Sequence, residues 1–401
     1  MNKDATKPLQ SLVAPAIKGK HAEQFVHNLA IKTFLTDWCY LNPILPDGKE
    51  LCDLLVIFDE IAVIWQIKDL KLDQNGKYRK REVDKNLKQL AGAYRQLFTL
   101  QASIELENPR RGKEKFQPNN IKEIYLISAL LGDGEEAFSL VENINGHVIH
   151  IFTKDFMQII LNELDTIDDF TGYLRAKEEL IELNQNFNIF GGEEELLIIY
   201  LGHNRSFDAL KDATDIIIDK GSWDKFKNSK KYQSKKKEDK ISYGWDGIIN
   251  RAHEGSGGYE GIARELARPN RFQRRVLSKA YNEAYIKADK DTMHNIFRRF
   301  FDFNGITYCF LFVDRKWPHE HRITTLKGTC YIARGVYNKN LKVIGIATEK
   351  QASRICSYDF VFLDMPSWTK DDQEIMVKAQ KDTGILLNPE MKEIQESEYP
   401  L

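Results

Sequence analysis

Three polar side chains stand at the ends of two apolar runs near the N-terminus. Asp53 precedes one run, and Gln66 and Lys68 close the next. A carboxylate, an amide oxygen and the backbone carbonyl of Ile67 are hard oxygen donors, the ligands that Mg²⁺ or Mn²⁺ prefers. A lysine beside them can orient or deprotonate an attacking water, or hold a phosphate as a point charge. These residue types therefore suit metal-assisted hydrolysis of a phosphodiester.

A β-hairpin would bring these side chains together. The apolar runs predict strands over 51–58 and 61–67, and Asp59 and Glu60 between them have the spacing of a tight turn. Antiparallel pairing sets the start of the first strand beside the end of the second. Residues 66 and 68 then share a face, because strand side chains alternate.

Helices are predicted on both sides of this hairpin. Apolar residues at helical spacing favour one helix over 19–38, with Glu23 in its first turns, and another over about 82–101, which carries Gln89. The other elements predicted in this part of the chain are a strand over 121–130, a strand over 146–153 and a helix over 154–164. We assign residues 1–165 to one α/β domain.

The rest of the chain, 166–401, is predicted to be an α+β region that is helical over 166–301 and strand-rich over 302–401. Its length suits target recognition, partner contact or regulation, and the sequence does not choose among these. The individual predictions used below are a strand over 194–203, helices over 258–288 and 291–301 with a break at Pro269, and strands over 305–313, 328–337, 342–348 and 360–365.

Asp53 in "ELCDLLVIF" and the second motif in "WQIKD" resemble the PD-(D/E)xK nuclease superfamily. The resemblance covers about residues 19–155. Gln66 stands where Asp or Glu is commoner, which is similar to the QxK variant of Mrr-type restriction endonucleases. A restriction-endonuclease-like domain is thereby implied, with a central mixed sheet flanked by helices.

The resemblance also implies a function and a set of site residues. The expected activity is metal-dependent endonucleolytic hydrolysis of DNA phosphodiester bonds with Mg²⁺ or Mn²⁺. The implied catalytic residues are Glu23, Asp53, Gln66, Lys68 and Gln89, and the implied metal ligands are Asp53, Gln66, the Ile67 carbonyl and Glu23. By analogy alone, such enzymes serve in bacterial antiviral defence or in DNA processing.

A basic loop follows the hairpin. Lysines and arginines nearly balance the acids, 58 against 59, so attraction to nucleic acid must come from local clusters. The candidate DNA contacts are Lys71, Lys77, Arg79, Lys80 and Arg81. The alternative interpretation is an ordinary solvated, charged loop.

Other interpretations stay open. In one, Asp53 is an acid at a strand edge, and Gln66 and Lys68 are surface residues. In another, the nuclease-like domain has no activity and serves as a DNA-binding or assembly module. In a third, the protein is a nuclease that acts on RNA. Duplex DNA is the favoured partner. A homodimer is an expected arrangement, because cutting both strands needs two sites or two visits, and the C-terminal region is expected to offer any contact for a partner protein.

The compartment is predicted from what the sequence lacks. It has no apolar run of membrane-spanning length and no secretory leader pattern at its start. Its five cysteines are scattered and unpaired as CxxC motifs, which is typical of reduced thiols. We therefore expect a cytoplasmic protein without a membrane partner.

Overall fold

The computed structural model describes residues 24–70, 73–75, 78–108, 110–132, 139–183, 186–213, 215–255, 258–350, 356–389 and 391–400. The chain divides into two compact units, 1–229 and 230–401. The sequence-based boundary at 165/166 follows the coverage of a motif rather than compactness, so it stays a prediction.

The first unit is built on a six-stranded mixed sheet with the order β1-β2-β3-β6-β8-β7. Its strands are β1 (Cys39–Leu41), β2 (Leu54–Phe58), β3 (Ile61–Lys68), β6 (Glu123–Leu130), β7 (Val141–Ile144) and β8 (His147–Thr153); β4 (Glu105–Asn108) and β5 (Gly112–Lys115) form a separate pair. The strands β1, β2 and β3 run antiparallel in succession, whereas β3, β6 and β8 are parallel. The expected central mixed sheet is confirmed.

Helices cover both faces of this sheet. They are α1 (24–34), α2 (Lys80–Tyr94), α3 (Lys154–Glu163) and α4 (Ile167–Leu183). On one face, Ile64 of β3 packs in a cluster with Leu87 and Leu90 of α2. On the other face, the Trp65 ring lies 6.5 Å from that of Phe34 in α1 and 5.7 Å from that of Phe170 in α4. Because strand side chains alternate, β3 contributes residues to one hydrophobic core on each face of the sheet. The helix α2 lies in the crossover connection between the parallel strands β3 and β6.

The first unit ends with α5 (Glu193–Gly202), a short parallel pair of β9 (Asn186–Ile189) with β10 (Asp215–Ile218), and α6 (Ser222–Lys227). The strand predicted over 194–203 is wrong, because this segment is α5. Glu193 and Glu195 are buried in it, and Glu195 accepts hydrogen bonds from the backbone of Gly221, Ser222 and Trp223. An apolar run of this length has no period that separates a buried helix from a buried strand.

The second unit has a four-stranded sheet with the order β11-β12-β13-β14. Its elements are α7 (Lys230–Asp239), α8 (Tyr243–Glu254), α9 (Glu260–Ala267), α10 (Arg271–Lys290), β11 (Ile296–Phe303), β12 (Ile306–Val313), α11 (His319–Val336), β13 (Lys342–Glu349), β14 (Tyr358–Asp364) and α12 (Lys370–Thr383). The strands β12 and β13 are parallel, and β11 and β14 are antiparallel edge strands.

Two predictions in this unit are wrong, whereas the strands predicted over 305–313, 342–348 and 360–365 are confirmed as β12, β13 and β14. The helix predicted over 291–301 is wrong, because residues 296–301 belong to β11, which pairs with β12 across a turn in which Asn304 and Gly305 both have positive φ. The strand predicted over 328–337 is the C-terminal half of α11. The break at Pro269 is confirmed: α9 ends before it, and Asn270 begins α10 with a capping box.

Candidate functional site

The hairpin brings Asp53 and Gln66 into direct contact. The Asp53 backbone N–H donates to the Trp65 carbonyl at 3.2 Å, which extends the β2–β3 ladder by one residue. The Asp53 Oδ2 then accepts hydrogen bonds from Gln66 Nε2 at 2.6 Å and from the backbone N–H of Ile67. Both side chains are only 5% exposed. A carboxylate and an amide are therefore held together at the end of β3 with little solvent around them.

The Ile67 carbonyl lies on the same side of β3 as the Asp53 carboxylate. The N–H and C=O groups of one strand residue point to the same neighbour, and the Ile67 N–H already donates to Asp53. Since β2 begins only at Leu54, the ladder partner of Ile67 would lie beyond the start of that strand. The Asp53 carboxylate occupies this place instead.

Lys68 is the last residue of β3 and is half-buried. It shares its face of the strand with Gln66 because the two are separated by one residue. Its ammonium group forms no hydrogen bond or ion pair with any residue that the structure describes. The cation is consequently available to a ligand.

Sequence reasoning missed Asn86, which α2 places against the same strand. Asn86 is fully buried and donates from Nδ2 to the Gln66 carbonyl at 3.3 Å and to Ser128 Oγ at 2.8 Å. It thereby ties β3 to β6 beside the site. The sequence feature that could have identified Asn86 is its position on the apolar face of the predicted helix, next to Val83, Leu87 and Leu90. A buried amide at such a position is expected to form hydrogen bonds.

The other predicted site residues are not brought to this contact. Gln89 lies on the exposed side of α2, one helical turn beyond Asn86. Glu23, Lys71 and Lys77 lie outside the described residues. The remaining loop cations, Arg79, Lys80 and Arg81, are exposed at the start of α2, and Arg79 lies 3.9 Å from Glu82.

The donor chemistry of this contact fits a hydrated Mg²⁺ or Mn²⁺. Asp53, the Gln66 amide oxygen and the Ile67 carbonyl are all oxygen donors, and Mg²⁺ needs only one or two carboxylates when waters and substrate phosphates complete its shell. Gln66 turns its amide nitrogen toward Asp53, so its oxygen would reach a cation there only after rotation of the amide. Within the described part of the chain, three or more histidine, cysteine or acidic side chains nowhere gather as a metal cluster.

The fold and site define a mixed α/β protein with a polar contact at the end of a sheet hairpin. No family model, curated protein or solved structure matches the chain. None of the described helices combines the length and the apolar character needed to cross a membrane.

Proposed function

We propose that the chain is a metal-dependent endonuclease that hydrolyses DNA phosphodiester bonds, with a restriction-endonuclease-like domain at its N-terminus. The observation that supports this best is the contact of Asp53 with Gln66 and Ile67, with the unpaired Lys68 ammonium on the same face. The hairpin of β2 with β3, the helix α2 that follows it and the mixed sheet flanked by helices are compatible with the fold that the nuclease resemblance implies.

In this proposal, Asp53, Gln66 and the Ile67 carbonyl hold Mg²⁺ or Mn²⁺, and Glu23 adds a second carboxylate. When bound, the cation supplies Lewis-acid charge and lowers the pKa of a coordinated water. Lys68 donates a hydrogen bond to a non-bridging phosphate oxygen and offsets the negative charge that develops there in the transition state. Asn86 acts as a positioning residue, because it fixes the end of β3 against β6.

The exposed cations Arg79, Lys80 and Arg81, together with Lys71 and Lys77, form the proposed contact with the DNA backbone. Each such phosphate contact releases counterions, so affinity should fall steeply as salt rises. Duplex DNA is the proposed substrate, and a homodimer would place one site on each strand. The proposed setting is cytoplasmic, in bacterial defence or DNA processing.

Cleavage of supercoiled plasmid with Mg²⁺ or Mn²⁺ tests this proposal. Lys68→Ala should reduce the rate by roughly 10²-fold or more, the loss typical of removing one transition-state donor. Lys88→Ala is the matched control, because Lys88 is an exposed lysine of α2. Equal cleavage by wild type and Lys68→Ala would assign the activity to a contaminant and refute the proposal. Competition by duplex RNA that matches duplex DNA would instead favour an RNA substrate.

One observation favours a second candidate, a DNA-binding or assembly module without activity. Gln66 is neutral and already donates to Asp53, so the contact is satisfied by the chain itself. If the protein shifts DNA in a gel-shift assay but cleaves none at any concentration of Mg²⁺ or Mn²⁺, the result would favour the inactive DNA-binding module over the nuclease.

A further inference from the structure

A cavity of about 780 Å³ lies along the edge strand β11 in the second unit. One wall is the strand itself, from Arg298 to Phe303, and the other is formed by residues that follow α12, including Leu387 and Glu393. Its volume is within the range of small-molecule sites, roughly 300–1,000 Å³. Consecutive residues of β11 line the cavity, and their side chains point alternately to the two faces of this edge strand.

Two arginines in this cavity have no partner. Neither guanidinium group, of Arg298 or of Arg299, forms an ion pair or hydrogen bond with any described residue, and the Nε of Arg298 is buried without an acceptor. Burial lowers the pKa of Arg298 below its ordinary value. A cation that is partly removed from water without an anion costs stability, so its presence points to an anionic ligand that completes it.

Three other buried arginines of this unit are paired with carboxylates. Arg271 and Arg274 lie 2.8 and 2.7 Å from the carboxylate oxygens of Asp246, and Arg275 lies 2.9 Å from Asp239. Each of these guanidinium groups therefore has its counter-charge within the chain. Arg298 and Arg299 differ in that neither side chain has a carboxylate partner among the described residues. Arg334, which is buried without a carboxylate as well, instead donates to the Met365 carbonyl and lies over the Trp368 ring.

The rest of the cavity wall is mostly apolar, with phenylalanine rings, two acidic residues and Lys392 among its residues. The half-buried rings of Phe301 and Phe303 are stacked at 5.7 Å with an interplanar angle of 15°, on the same face of β11 as Arg299. Such rings offer a surface on which a planar base can stack. The carboxylates of Asp302 and Glu393 also line the cavity and can accept hydrogen bonds from hydroxyl groups.

We propose that this cavity binds a nucleoside di- or triphosphate. Its phosphates pair with Arg298 and Arg299 across the edge of β11, its base stacks on Phe301 and Phe303, and its ribose hydroxyls donate to the carboxylates. The proposal is independent of the phosphodiesterase activity, because every residue it uses belongs to the second unit.

Equilibrium dialysis of the full-length chain with the common ribonucleoside triphosphates, in EDTA so that no metal site contributes, tests this. Arg298→Gln and Arg299→Gln should each weaken binding at least about tenfold, the effect of losing one charged hydrogen bond. Arg315→Gln is the matched control, since Arg315 is exposed in the turn after β12. In the absence of nucleotide, Arg298→Gln should unfold at the same or a higher temperature than wild type, whereas a merely structural arginine would lower it on removal.

Four outcomes would overturn the proposal. They are no nucleotide bound at millimolar concentration, equal affinity in both arginine variants and the control, pyrophosphate bound as tightly as the nucleotide, and binding of polynucleotide that mononucleotides do not displace. The third would remove the role of the phenylalanine rings, and the fourth would replace a small ligand by a nucleic acid.

Discussion

Replacement of Gln66 by glutamate probes the contact at the centre of the candidate site. Gln66 Nε2 lies 2.6 Å from Asp53 Oδ2, and both residues are buried. Gln66→Glu removes this hydrogen bond and sets two carboxylates against each other. At a separation of about 4 Å and an effective dielectric constant of about 20, their repulsion is about 4 kcal/mol. We expect the free energy of unfolding to fall by that amount at pH 8 without a divalent cation.

The loss should depend on pH in a defined direction. Repulsion of about 4 kcal/mol raises the pKa of the new pair by about 3 units, since one unit corresponds to about 1.4 kcal/mol. A carboxyl group whose pKa is raised on folding stabilises the fold at low pH, and this stabilisation is lost as the pH rises. The variant should therefore approach wild-type stability near pH 4 and lose stability progressively up to about pH 7.

Urea denaturation measures this effect, and Gln89→Glu is the matched control because Gln89 is exposed on α2. Mg²⁺ should stabilise Gln66→Glu more than it stabilises the control, because a cation that binds only the native state stabilises it and the variant offers one more carboxylate to that cation. Equal stability of the two variants, within about 0.5 kcal/mol at pH 8, would refute the contact between residues 53 and 66.

Three further predictions concern polar groups of the first unit. Asn86→Ala should lower the free energy of unfolding by about 2 kcal/mol in urea denaturation, since the buried Ser128 hydroxyl and a β3 carbonyl lose their donor. Burial raises the pKa of Glu178 to about 7, so its contribution to stability should fall as the pH rises from 4.5 to 7, and Glu178→Gln should flatten that part of the stability–pH profile. Lys177→Met should cost about 3–5 kcal/mol, because it leaves the Glu193 carboxylate, 2.7 Å away, buried without its cation, and Lys177→Met with Glu193→Leu should recover most of the loss in the same denaturation assay.

The sequence could predict the parts of the site that depend on local geometry. A two-residue turn at Asp59-Glu60 fixes the pairing of β2 with β3, and the period of two then determines which side chains meet. The contact between Asp53 and Gln66 could therefore be predicted from the turn and the strand period alone. The helix contribution could not be predicted in the same way, because it depends on the rotation of α2 over the sheet. A shift of three residues on a helix separates the buried Asn86 from the exposed Gln89.

The errors in the fold arose where one pattern suits two structures. The segments of α5 and the second half of α11 are apolar runs that a buried strand would also show, and only their packing against neighbouring elements decides the outcome. β11 was mistaken for a helix because its arginines and phenylalanines lack a clear alternation of apolar and polar residues. Its edge position explains this, since β11 pairs with β12 alone and both of its faces stay half exposed.

The glutamine at position 66 has a physical consequence for the proposed activity. A second carboxylate beside Asp53 would repel it by several kcal/mol until a cation arrived, whereas Gln66 closes the hairpin with a hydrogen bond and needs no cation to fold. Glutamine in place of a carboxylate at position 66 also leaves the metal ligands with one negative charge fewer, which weakens their attraction for a free divalent ion. A phosphodiester group restores that charge when DNA is bound, so metal and DNA should strengthen each other's binding by equal factors. With a neutral residue at position 66, the free protein should therefore bind the metal more weakly than the protein–DNA complex does.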